Sequence, residues 1–322
     1  MIAEIQEILK QFNQFIIAGH TNPDGDAIGS CFGLGLALEK MGKQVHVLLE
    51  PYHHKYDIIP GRHLLYEETD LPADDTVLIC LDAADLQRLN RHPKALVETM
   101  PHSINIDHHF SNTRFAKYNY IDDKASSTCE LVYRVLDGLV ALDKAIASAL
   151  YSGIAGDTGG FRHSTTSPDT MRIAGNLMAF DIPFSGIYSE ILHQRSYTEV
   201  KMLGRVLDAC QRSKCGSILY ACVTRDMMTG FKDADTPDAT IQDLEGMIDH
   251  LINTRGAKVA FLIYDCGHDS EFKVSLRSRE LNVGAIAQAL GGGGHHLAAG
   301  ATAKGDIWEI RDKILGLIEF GV

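Results

Sequence analysis

The sequence predicts an α/β fold: a mostly parallel sheet flanked by helices in an N-terminal domain, then a smaller mixed α/β C-terminal domain. Three observations predict it. Short, nearly continuous apolar runs alternate with helical stretches through the first half, the pattern of strands buried on both faces. After Lys214 the pattern changes to strands of a second, mixed domain. The length of 322 residues suits two domains.

Phe15-Ile16-Ile17-Ala18-Gly19 reads as the first strand, ending at His20, with a helix over 26–41. Residues 45–49 form the second strand. The third covers 76–81 and ends at Asp82; the fourth covers 103–106 and ends at Asp107. Ser127 with Glu130 makes a capping-box pattern ahead of an apolar run to Leu136. Asp143 caps a helix over 144–155 that runs into Gly156-Asp157-Thr158-Gly159-Gly160, and Ser167-Pro168 opens another. Residues 184–212 look helical and polar, as a connector would. Residues 218–224, 259–266 and 272–279 read as C-terminal strands. The expected division is a catalytic domain over 1–185, a helical connector over 186–212 and a substrate-binding domain over 213–322.

Apolar residues make up 45% of the chain and charged residues 22%, enough to bury a core. No stretch approaches the roughly 18 apolar residues of a membrane span. The first dozen residues space their apolar side chains like an amphipathic helix and carry early acids, unlike a signal peptide. Seven cysteines without a C-x-x-C or a paired framework read as reduced thiols of a cytoplasmic protein. The net charge of −12 argues against a grip on long nucleic acid, whose phosphates demand a basic surface. A small nucleotide or very short RNA fits better. No membrane partner is expected, and a homodimer stays among the oligomeric alternatives.

The segment His20-Thr21-Asn22-Pro23-Asp24-Gly25-Asp26 holds one imidazole and two carboxylates in seven residues. It lies at the C-terminal end of the first strand, where open α/β sheets bind ligands. Pro23 and Gly25 force a tight path that lets these side chains converge. Asp82 and Asp107-His108-His109 end two further strands, and Asp157 sits in a glycine-rich helix terminus. His20, Asp24, Asp26, Asp82, His108 and Asp157 are therefore the expected ligands of two divalent cations. Four grouped carboxylates would repel one another without a countercharge. Oxygen-rich donors with some imidazole suit Mn²⁺, with Mg²⁺, Co²⁺ or Fe²⁺ as alternatives; no cysteine belongs to the set, which argues against a structural zinc site. Helix capping accounts equally well for Asp24 or Asp82 taken singly. It does not account for all six.

These residues resemble a known family. Asp107-His108-His109 is similar to the signature of the DHH phosphoesterases, and the segment from His20 to Ser30 resembles their first motif. Leu81-Asp82, Ser126-Ser127-Thr128-Cys129-Glu130 and Gly156-Asp157-Thr158-Gly159-Gly160-Phe161 resemble the others. Gly291-Gly292-Gly293-Gly294-His295 with Ala298-Ala299-Gly300 resembles the DHH-associated C-terminal domain. The two-domain size is similar to the nanoRNase/pAp phosphatase type. That resemblance implies an enzyme that trims very short RNA and dephosphorylates 3′-phosphoadenosine 5′-phosphate (pAp), using a water activated by metal. It implies His20 and Asp24 on one metal, Asp26, His108 and Asp157 on the other, and Asp82 bridging them. It makes Asp107 the residue that orients an imidazole, and His109 a polarising group or proton donor at the scissile phosphate.

Four consecutive glycines remove side chains where a backbone comes close to something, and their N–H groups can form an anion-binding concavity. Gly292, Gly293, Gly294 and His295 are thus expected to hold a phosphate or a nucleotide end. The resemblance adds Arg277, suited to bidentate phosphate contact or base stacking. Trp308 reads as a core residue of the last helix. Rival functions are a phosphodiesterase for cyclic dinucleotides or their linear products, a long-strand exonuclease, and a catalytically silent nucleotide-binding regulator. The acidic balance weighs against the exonuclease, and the full ligand set against the regulator.

Overall fold

The computed structural model describes all residues except 67–74, 90–93, 95, 98–99, 101, 232–237, 268–269, 295 and 320–322. The chain divides into two compact units, Met1–Gln194 and Arg195–Val322. The first begins with α1 (Ile2–Gln11), which buries Ile5, Ile8 and Leu9. Then come β1 (Gln14–Ala18), α2 (Gly25–Lys40), β2 (Gln44–Leu48), β3 (Thr76–Leu81), β4 (His102–Asp107) and β5 (Tyr118–Ile121).

These five strands form one parallel sheet in the order β2-β1-β3-β4-β5. Side chains alternate across a strand, so each strand feeds two cores. Phe15, Ile17, Val77, Ile79 and Leu81 join the large cluster under the helices. Ile16, Leu78 and Cys80 join a smaller cluster on the other face. This two-sided burial makes the strands read as apolar runs. The edge strand β5 was not foreseen: Tyr118-Asn119-Tyr120-Ile121 is only half-buried and carries no such run.

The strand order has one further consequence. The chain steps outward from β1 to β2, then crosses back to place β3 on the other side of β1. Loops leaving β1 and β3 diverge there and open a crevice at the C-terminal strand ends. His20 and Asp82 follow these two strands.

The unit is completed by α3 (Thr128–Leu136), α4 (Lys144–Asp157), α5 (Pro168–Met178) and α6 (Phe184–Leu192). The Ser127 hydroxyl accepts the Glu130 amide at 3.1 Å, but the Glu130 carboxylate turns to Ser126, so the predicted capping box is only half formed. Asp143 caps α4, and Ser167 with Thr170 forms a full box at α5. Helices α2 and α4 meet through glycines. A Cβ on Gly29 would lie 2.6 Å from the Ala149 carbonyl oxygen, and one on Gly153 would strike Cys129 Sγ and crowd Asp26.

The second unit contains α7 (Tyr197–Asp208), β6 (Gln211–Arg212), β7 (Ile218–Val223), α8 (Arg225–Met228), α9 (Met247–Ile252), β8 (Val259–Asp265), β9 (Glu271–Ser278), α10 (Val283–Ala289), β10 (Gly293–Gly294), β11 (Ala298–Lys304) and α11 (Ile307–Glu319). Its mixed sheet runs β10-β11-β9-β8-β7-β6, with β7 and β8 parallel. Phe261 and Ile263 pack with Ile286, Ile310 and Ile314 on one face. Ala260 and Leu262 pack with Met202, Met247 and Leu251 on the other. The stretch expected to connect the domains divides its helices between them: α6 gives Ile187 and Ile191 to the first core, and α7 gives Met202 and Val206 to the second. Strand β11 was not foreseen, because Ala298-Ala299-Gly300-Ala301 carries no bulky apolar signal.

Trp308 corrects an expectation. Ile307, Ile310 and Ile314 take the core face of α11. Trp308, about 100° further round, is 44% exposed with the Arg311 guanidinium 5.1 Å from its ring. Replacing Gly29 with Ala forces α2 off a backbone carbonyl that cannot retreat. The expected outcome is a loss of about 1–3 kcal/mol of stability, read as a lower urea midpoint.

Candidate metal centre

The six residues expected to bind cations gather at the strand ends of the first unit. His20 lies just beyond β1. Its Nδ1 meets the Thr21 carbonyl at 2.7 Å, which fixes a proton on that nitrogen and turns Nε2 inward. That Nε2 lies 3.4 Å from Asp82 Oδ2 and 3.9 Å from Asp24 Oδ1. Asp24 does cap a helix: its Oδ1 accepts the amides of Asp26 and Ala27 at the start of α2. The capping reading and the cluster reading thus hold for the same side chain.

Asp26 is buried in the first turn of α2. Its oxygens accept the backbone amides of Thr128 and Cys129, at 2.6 and 2.9 Å, from the N-terminus of α3. Helix N-termini favour negative charge, so this contact offsets part of the cost of burying the carboxylate. Asp82 carries φ +57°, a left-handed conformation uncommon outside glycine though tolerated by Asp. It is held there by its amide, which donates to the Ile106 carbonyl at 3.1 Å. Asp82 Oδ2 faces His20, whereas Oδ1 accepts the Thr128 hydroxyl at 3.0 Å and lies 3.6 Å from His108 Nε2. His108 Nε2 also faces Asp157 Oδ2 at 3.5 Å and Asp26 Oδ2 at 3.9 Å.

Two donor sets therefore form side by side: His20, Asp24 and Asp82, then Asp26, His108 and Asp157, with His108 and His109 also next to Asp82. The separations of 3.4–3.9 Å exceed normal hydrogen bonds. They suit shared coordination, because two atoms each about 2.0–2.2 Å from one ion lie no more than roughly 4.4 Å apart. The donor chemistry, carboxylate oxygen with some imidazole and no thiolate, fits hard or borderline divalent cations.

The electrostatics fit as well. Burial opposes the imidazolium of His20, but Asp24 and Asp82 outweigh it and raise the pKa to about 10. Burial opposes that of His108 too, and Asp82, Asp26 and Asp157 raise it to about 9. Burial, with repulsion from Asp82 and Asp24, lifts Asp157 to about 7. Burial, with repulsion from Asp82 and Asp157, lifts Asp26 well above the carboxylate range. The protein alone balances its crowded carboxylates with protons, which bound cations would displace. Cys31, Cys80 and Cys129 are buried nearby, and burial holds all three thiols neutral.

Asp107 is fully buried and serves His109, not His108. Its Oδ1 meets His109 Nδ1 at 2.7 Å, and its Oδ2 accepts the Asn112 amide at 2.6 Å. Sequence reasoning missed Asn112 and the Thr128 hydroxyl as parts of the site. Thr128 lay within a quoted motif, but nothing in the sequence says that its hydroxyl turns to Asp82. Glu130, read from the sequence as a capping-box partner, instead accepts from Ser126 and Thr170 and pairs with Arg134 behind the α3 N-terminus.

In the second unit Arg277 sits on β9, with Nη1 donating to the Leu276 carbonyl and Nε 3.7 Å from Asp249. Gly293 and Gly294 pair with Gly300 and Ala299 of β11. A Cβ on Gly294 would lie 2.5 Å from Ala299 Cα, and one on Gly292 equally close to Ala301 Cα. Part of the glycine run is thus demanded by the approach of two strands. Gly293 has open space around its missing Cβ. His295 lies outside the described residues.

Comparison with known proteins agrees with this layout. Residues 14–154 match the DHH family, N-terminal domain, and residues 216–319 match the DHHA1 domain. The bifunctional oligoribonuclease and PAP phosphatase NrnA of Thermus thermophilus is 31% identical over 97% of this chain and 91% of its own. The Bacillus subtilis protein of the same name is 26% identical over 99% and 98%. A crystal structure of an exopolyphosphatase-related protein from Bacteroides fragilis superposes with a TM-score of 0.88, at 24% identity over 98% of this chain and 96% of that one. The chain belongs to the DHH family of phosphoesterases, in its nanoRNase/pAp phosphatase branch.

Against the effect of burial, Asp107 and then Asp82 raise the His109 pKa above its ordinary value. Asp107→Asn removes the main partner of the imidazolium. The His109 pKa of the metal-free protein is expected to fall toward 6.5, followed by NMR titration of the imidazole protons.

Proposed function

We propose that this protein hydrolyses very short RNA and removes the phosphate of pAp, using two divalent cations, Mn²⁺ by preference. One observation carries the reading: Asp82 stands between two adjacent donor sets, with Oδ2 facing His20 of one and Oδ1 facing His108 of the other. In this assignment His20 and Asp24 hold one cation, Asp26, His108 and Asp157 hold the other, and Asp82 bridges. Cations so held would supply Lewis acidity to the phosphoryl oxygens and lower the pKa of an attacking water.

The chain's own groups do the rest. Asp107 fixes the His109 ring through Nδ1, leaving Nε2 for the substrate. Asp107 and Asp82 raise its pKa, and the protonated His109 can donate to a phosphoryl or leaving oxygen. The α3 N-terminus and Thr128 hold Asp26 and Asp82 in place, so little reorganisation accompanies reaction. In the second unit, Arg277, Gly292, Gly293, Gly294 and His295 are assigned as nucleotide-binding residues. We assign the protein to the cytoplasm. Among the described residues no helix is long and apolar enough to cross a membrane.

The test is a side-by-side assay of pAp, dinucleotides, an RNA length series, a cyclic dinucleotide and pyrophosphate, each with Mn²⁺ and after chelation. pAp and the shortest RNAs should be the preferred substrates, with activity lost on chelation. Preference for the cyclic dinucleotide or pyrophosphate would overturn the substrate assignment. Asp82→Ala should lower kcat more than about a thousandfold, roughly 4 kcal/mol of transition-state stabilisation, with circular dichroism unchanged. Cation binding near pH 7 should release protons, because the imidazoles and Asp157 hold protons in the free protein. Calorimetry in buffers of differing ionisation enthalpy measures that release, and Mn²⁺ affinity should weaken as pH falls.

A further inference from the structure

We propose that the Phe110 ring is a stacking platform for the base attached to the cleaved phosphate, an assignment that rests on the function proposed above. Phe110 directly follows His109. It is 89% exposed, more than any other large apolar side chain among the described residues. Single exposed apolar residues are common and need no explanation. Here the ring has an address and a rigid mount.

The turn beneath it is closed by the Asn112 amide donating to the His109 carbonyl at 3.1 Å. The Asn112 side chain donates to Asp107 Oδ2, to Asn105 Oδ1 at 2.8 Å and to the Ala83 carbonyl at 3.2 Å, and accepts the Arg114 amide at 2.7 Å. The group that anchors the carboxylate behind His109 also anchors the turn that presents Phe110. Consecutive Cα atoms are about 3.8 Å apart, so the backbone that carries Phe110 is anchored directly beside that of His109. A nucleotide whose phosphate meets His109 brings its base into reach.

The chemistry suits the substrate class. Stacking tolerates any base, as an enzyme acting on short RNA of any sequence requires. It also needs no positive field, which a chain of net charge −12 does not supply over long range.

The experiment measures kcat and KM with Mn²⁺ for a dinucleotide and its abasic counterpart, in the parent, Phe110→Ala and Phe110→Trp proteins. Phe110→Ala should raise KM for the dinucleotide about tenfold, within the range of base–aromatic stacking, and leave kcat within about twofold. The KM advantage of the dinucleotide over the abasic compound should shrink accordingly, and Phe110→Trp should restore it. In a second measurement, the fluorescence of Phe110→Trp should quench on adding pAp to chelated protein, beyond the response of the parent with Trp308 alone. An unchanged dinucleotide KM in Phe110→Ala, or an equal rise for both compounds, would overturn the stacking role while leaving the function intact. A parent protein that cleaves neither dinucleotide nor pAp would overturn the function, and the stacking role with it.

Discussion

Four carboxylates within reach of one another, Asp26 and Asp82 of them fully buried, are the constraint on which the first unit depends. In a low dielectric their repulsion is severe, and each must be neutralised or capped. The fold answers with position. The strand order 2-1-3-4-5 sets the ends of β1 and β3 beside each other and brings His20 to Asp82. The amide end of α3 is aimed at Asp26. What remains unbalanced is balanced by protons on His20, His108 and Asp157, and those are the places a divalent cation would take.

Much of this was legible in the sequence, for physical reasons. Buried parallel strands must be apolar at successive positions, so β1, β3 and β4 announce themselves, and the polar residue ending each run marks the strand terminus. Helix N-termini are equally readable, because Ser127, Asp143 and Ser167 do a local job that needs only their own next turn. The gathering of His20, Asp82 and His108 follows from those strand ends, and Asp24, Asp26 and Asp157 join them from helix termini.

The rest depended on partners remote in sequence. β5 and β11 are strands because a neighbour's edge accepts them, and nothing in Tyr-Asn-Tyr-Ile or in a run of alanines says so. Glu130 was read as a local cap, yet its carboxylate serves Ser126, Thr170 and Arg134, a choice decided by where α5 packs. The glycine run of the second unit was read as a ligand cradle. At Gly292 and Gly294 the thing that comes close is strand β11. Trp308 was placed inside on residue type alone, whereas the isoleucines beside it decide which face of α11 turns inward.

The three buried cysteines beside the cluster have a consequence of their own. Soft, thiophilic ions are captured by thiolates, and Cys31, Cys80 and Cys129 are all kept in the uncharged form by their apolar surroundings. Cys129 Sγ points at the Asp26 carbonyl oxygen, 3.6 Å away. The sulfurs therefore rest in their less nucleophilic form, and the donor atoms grouped in the pocket are carboxylate oxygens and imidazole nitrogens.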